Sequence, residues 1–207
     1  MPSVIQTIVA LEMMLLPLWV GTVLVGPAPS LATRVARAPA AVVVVAAVLL
    51  VLAVVAEDGS VVGVLRSQAV AVGWVFLLSG LAAVADRVAG PRAAQVLTAL
   101  AGWAIIGAMI LAGPLVEMVG DAAKATVVQA IVHANPLMVA EQELGLKWTH
   151  QALTYRWTPL GESYSYLFGH PAWWKTLLGH LFVGSGLLMF SFRRTLPDAL
   201  ALPIDER

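Results

Sequence analysis

Residues 39–56 read PAAVVVVAAVLLVLAVVA, a stretch without a single charged or amide side chain. Valine and alanine at this density suit a sheet interior by propensity, but a buried strand runs only about four to eight residues. Read as a helix, the same stretch rises about 1.5 Å per residue and covers most of the roughly 30 Å of a bilayer's hydrocarbon core. A helix also satisfies its own backbone, which lipid demands. The stretch ends at Glu57-Asp58-Gly59, where charge and glycine stop it.

Outward from that stretch the rest of the chain follows suit. Of 207 residues 60% are hydrophobic and only 12% charged, and the mean hydropathy is +0.88, far from the balance of an ordinary soluble domain. Four more runs are long and apolar enough to span: about 4–26, 68–86, 94–118 and 173–192. The first lacks a preceding Lys or Arg and exceeds a typical signal-peptide core, so it is expected to be a retained helix. The expected fold is therefore all-α: a polytopic membrane helix bundle of about five transmembrane helices, forming a single transmembrane domain over 1–207.

Basic residues orient the bundle, because short cytoplasmic loops retain Lys and Arg. The loop with Arg34 and Arg37, the loop with Arg87 and Arg92, and the tail with Arg193, Arg194 and Arg207 together hold seven of the 12 basic residues. The other five are mostly spread through the long segment of about 119–172. The expected location is the cell membrane, with the N-terminus outside and the C-terminus cytoplasmic. Trp173 and Trp174 then stand at an outer interface, and the long segment is external.

That external segment contains HANPLMVAEQELG, residues 133–145, in which Pro136 cannot continue a helical ladder and biases Asn135 toward extended backbone. Around it lie the amphipathic DAAKATVVQAIV (121–132) and an aromatic, polar run with Tyr155, Arg156, Trp157, Tyr164 and Tyr166. Such a pattern predicts short interfacial or re-entrant helices. Irregular backbone at membrane depth requires a protein cover.

The order of these parts resembles the type-2 ABC exporter permeases in their C-terminal half. There, an external Asn-Pro-Leu, a few apolar residues and a Glu precede the last membrane helix and a short basic tail. In this chain they are Asn135, Pro136, Leu137 and Glu141, the helix from about 173, and Phe192-Arg193-Arg194. The family has six crossings; this chain shows five and begins outside. The resemblance implies that Asn135, Pro136, Leu137 and Glu141 form an external gate, and that Arg34 and Arg37 contact an ATP-hydrolysing subunit. No Walker-type phosphate loop occurs, so that ATPase would be a separate chain.

Ionisable residues inside apolar helices are functional candidates by default. Glu12 and His180 sit at similar depth in the first and last helices and form a candidate intramembrane polar pair. The alternative is a hydrogen bond that merely holds two helices together, worth about 0.6–2 kcal/mol, and that is the preferred reading. His133, His150 and His170 lie outside the spans, so paired ligation of a membrane haem has little support, and His133, Glu141 and His150 match no recognised metal spacing. No cofactor, metal or catalytic residue is expected. Gly184-Ser185-Gly186 lacks the five-residue nucleophile-elbow pattern and reads as a close helix contact.

With zero formal net charge and no basic run, nucleic acid is not an expected partner. The absence of cysteine excludes disulfides and thiolate sites. Three functions remain. The first is a permease-like subunit of an export system with a separate ATP-binding subunit. The second is a non-catalytic accessory subunit that stabilises a larger respiratory or photosynthetic membrane complex with other membrane subunits. The third is an interfacial membrane enzyme using Glu141, Glu143 or His150. Membrane lipids are partners in each.

Overall fold

The computed structural model describes residues 3–25, 39–55, 60–111, 116, 118–145 and 172–192. Within them it is all-helical, with seven helices and no strand: α1 (Val4–Val25), α2 (Ala40–Val55), α3 (Val61–Ala89), α4 (Pro91–Leu111), α5 (Asp121–Ala134), α6 (Pro136–Glu143) and α7 (Trp173–Phe192). The five expected spans correspond to α1, α2, α3, α4 and α7. Among the described residues two helices, over Val4–Val23 and Val61–Ala89, are long and apolar enough to cross a membrane by length and composition, and α2 is a shorter apolar helix.

The last helix begins and ends where the sequence places it, but α3 starts seven residues ahead of the expected 68. Its polar opening is helical because Ser60 caps it, the Oγ accepting from the Gly63 amide at 3.2 Å. Arg66, an expected loop residue, lies in its second turn and pairs with Glu143 at 3.1 Å. A single residue, Gly90 at φ +79, then turns the chain into α4. Only a residue without a β-carbon takes that backbone at no cost. Pro91 follows at the first helical position, where its missing N–H is not needed.

At the centre is α3. Its Val64, Val70, Ala71, Trp74, Val75 and Leu78 are buried against α1, α2, α4, α6 and α7. The closest neighbour is α7, and glycine is the reason. A β-carbon on Gly80 would stand 2.6 Å from the Gly184 carbonyl, and one on Gly184 would stand 2.5 Å from the Phe76 carbonyl. Gly73 likewise lies against Leu177, and Arg87 donates to the carbonyl of Ser191 at 2.9 Å. The register is held along the full contact, so α3 and α7 run parallel.

The other helices fall into line by their contacts. Gly21 lies against Gln95 and Gly102 against Pro17, and Trp103 Nε1 donates to Met14 O at 3.0 Å. This makes α1 and α4 antiparallel. Gln68 Nε2 donates to Glu12 Oε2 at 2.7 Å, and Gln6 and Gly63 near the starts of the two helices both meet residues 143–144, which sets α1 beside α3 in the same direction. Thus α1, α3 and α7 begin at one end of the bundle, where α4 finishes, and the short α5 and α6 sit at that end.

Candidate functional site

The break between α5 and α6 falls at Asn135, in extended backbone at φ −85, ψ 105. A broken helix exposes the last carbonyls of one piece and the first amides of the next, and each group needs a partner when buried. Asn135 caps the amides itself: its Oδ1 accepts from Leu137 N at 3.1 Å and Met138 N at 3.3 Å. Pro136, at the first helical position, has no amide to satisfy. The carbonyls are taken by α7. Thr176 Oγ1 donates to His133 O at 3.0 Å, and His180 Nε2 lies 3.0 Å from Ala134 O.

A carbonyl only accepts, so His180 Nε2 must carry the proton in that bond. The His180 ring is fixed further by Trp74, with ring centroids 5.5 Å apart and planes tilted by 45°. Asn135 Nδ2 ties the break to α4 by donating to Ile106 O at 2.9 Å. The break is therefore covered by α3, α4 and α7, with Asn135 only 2% exposed. From there α6 climbs through eight residues, a rise of about 12 Å. At its far end Gln6 Nε2 donates to Leu144 O at 2.9 Å, and the Glu143 carbonyl packs over Gly63 so closely that a β-carbon there would collide. The two helices form a broken hairpin whose break lies inside the end of the bundle.

Of the four gate candidates, Asn135 and Pro136 make the break itself, and Leu137 packs into the main core beside it. Glu141 faces inward on α6: it is fully buried, and neither carboxylate oxygen has a hydrogen-bond partner. Burial alone pushes its carboxyl from 4.5 up to about 7. Comparison of the chain with protein-family models, with curated proteins and with solved structures finds no match. The hairpin's chemistry therefore has to be read from its own residues.

Glu12 and His180 are each bonded elsewhere, Glu12 to Gln68 on α3 and His180 to Ala134 O at the break. Their separate bonds join α1 to α3 and α7 to α5. His133 Nδ1 turns back 2.7 Å from Gln129 O on its own helix, while Glu141 faces the interior. Among the described residues no three His, Asp or Glu side chains are grouped to hold a metal. Arg34, Arg37, His150, His170 and the aromatic run from Tyr155 to Tyr166 lie outside the described residues.

Three participants are not singled out by the sequence: Gln68, Thr176 and Trp74. Gln68 is the first residue of an expected span, and an amide opening an apolar run is itself a signal of an internal partner. Thr176 and His180 stand four apart on one helical face, a spacing that marks a shared polar contact. Trp74 carries no such signal.

Proposed function

We propose that this chain is an integral membrane subunit of permease type, acting in an export system with a separate ATP-hydrolysing chain. The observation that carries the reading is the re-entrant α5–α6 hairpin, whose broken backbone is buried and partnered at the end where α1, α3 and α7 begin. Such construction suits a non-aqueous surround, where an unpartnered carbonyl or amide costs several kcal/mol. Exposed apolar side chains support the same surround: Phe182 is 83% exposed, and Val43, Val44, Val51, Val54 and Val55 all project from α2.

In this reading α1 to α4 and α7 cross the membrane with the hairpin outside. Arg34 and Arg37 stand on the cytoplasmic side and take the push of the ATPase, and the hairpin governs release. The hydrolytic chemistry belongs to the partner. A second reading, an accessory subunit of a larger membrane complex, is favoured by one feature. The bundle centre is filled by large apolar side chains, with Met13, Leu49, Trp74 and Leu78 each less than 2% exposed.

Purification of the tagged chain in mild detergent, with its companions identified and ATPase activity assayed, separates the two. A stoichiometric ATPase that is lost on replacing Arg34 and Arg37 by alanine is the expected result. Recovery in a large pigment- or haem-bearing complex without ATPase activity supports the accessory reading instead.

A further inference from the structure

Glu141 differs from the other polar groups that shape the hairpin, because its side chain makes no structural bond. Its neighbours are spoken for: Asn135 caps and ties, Glu143 pairs with Arg66, and the Leu144 carbonyl meets Gln6. Glu141 is completely covered, and both its oxygens are unpartnered. A carboxylate ion in such a position bears the full desolvation cost with nothing to offset it.

The described titratable groups on neighbouring elements are engaged elsewhere. On α1, Glu12 is held by Gln68. On α3, Arg66 pairs with Glu143, and Asp86 and Arg87 lie at the far end, where Arg87 meets Ser191 O. On α7, Lys175 lies over the Trp174 ring at 5.6 Å and His180 meets Ala134 O. On α5, Lys124 pairs with Asp121 at 2.9 Å and His133 turns to Gln129 O. Among the described residues no cation lies against Glu141 to neutralise it.

α6 lies between two breaks in the helical backbone. Its first residue follows the extended Asn135, and it is followed by Gly145 at φ +80. Between these two points Arg66, Gln6 and the apolar contacts of Leu137, Val139 and Ala140 hold it down. We propose that Glu141 is a proton-binding site that latches α6: the helix stays seated while this carboxyl is the neutral acid and lifts when the proton leaves to water. The step is a plain proton transfer, with the carboxylate formed as the helix exposes it to solvent. It concerns α6 alone and holds whichever partner the chain has.

The sign follows from the two states. Lifted, the carboxyl meets water and titrates near its ordinary 4.5; seated, burial raises it to about 7. The seated state therefore binds the proton more tightly and is favoured at low pH. As pH rises from 4.5 to 7 the lifted state gains up to tenfold per pH unit, for a total of roughly two orders of magnitude, and levels off above that range.

Hydrogen exchange on the full chain in detergent, corrected for intrinsic rates, tests this directly. Between about pH 5 and pH 7 the amides of residues 138–144 are expected to lose more than about tenfold protection, while those of residues 70–82 in α3 keep theirs. Glu141→Gln, nearly isosteric and without a titration, is expected to flatten the α6 profile, and Glu141→Leu serves as a second pH-blind variant should the amide disturb folding. An α6 profile that is flat in the parent chain, or one equally steep in either variant, overturns the proposal.

Discussion

Gly184→Ala tests the packing of α3 against α7 at one atom. The new methyl would stand 2.5 Å from Phe76 O, 2.6 Å from its carbonyl carbon and 2.8 Å from Leu77 N, all backbone atoms that no rotamer change can move. Ordinary contact begins at 3.4 Å, so the helices must part by about 0.9 Å, enough to forfeit a quarter to a half of the dispersion energy along the seam. Overpacking of this kind costs about 1–3 kcal/mol, and alanine's better helix propensity returns up to about 1. A net loss of about 1–2 kcal/mol lowers the melting temperature by roughly 2–8 °C for a chain of this length. Gly186→Ala is the internal control, since a β-carbon there would meet nothing within 4 Å, and it is expected to hold or raise the melting temperature by up to about 4 °C. Intrinsic tryptophan fluorescence during heating in detergent reads both. Equal shifts in the two variants, or an unchanged melting temperature for Gly184→Ala, would refute the close parallel contact.

Three further outcomes follow from the hairpin. Asn135→Ala removes a cap and the tie to Ile106 O together, an expected loss of about 2–3 kcal/mol measurable by thermal or denaturant unfolding. Thr176→Val keeps the shape but orphans the His133 carbonyl; faster hydrogen exchange in the last turn of α5 and a loss of about 1 kcal/mol are expected. A double-mutant cycle on Arg66 and Glu143 should give a coupling below about 1 kcal/mol, weakened by salt, because Arg66 is 46% exposed.

The helices were legible in the sequence because apolar runs such as 39–56 state their own length, and the break was legible because Pro136 removes a donor. The start of α3 was not, since Arg66 and Ser67 look like a loop until Ser60 is seen capping the helix at Gly63. Which helices touch was also hidden. Gly73 and Gly80 mark a face of α3, but only the structure shows that the face meets Leu177 and Gly184 of a helix about a hundred residues later. The motif marks Glu141; its isolation depends on which face of α6 the other helices cover, a property no local pattern carries. Glu12 and His180 were matched by depth alone, and depth does not reveal azimuth around a helix.

The parallel seam of α3 and α7 has a mechanical side. Arg87 grips the last carbonyls of α7 at one end, and fifteen residues earlier Thr176 holds the broken end of α5, about 22 Å away along a straight helix. With glycine contacts leaving no slack between, the two helices form a strut. A tilt imposed at the Arg87 end is expected to reach the hairpin as displacement.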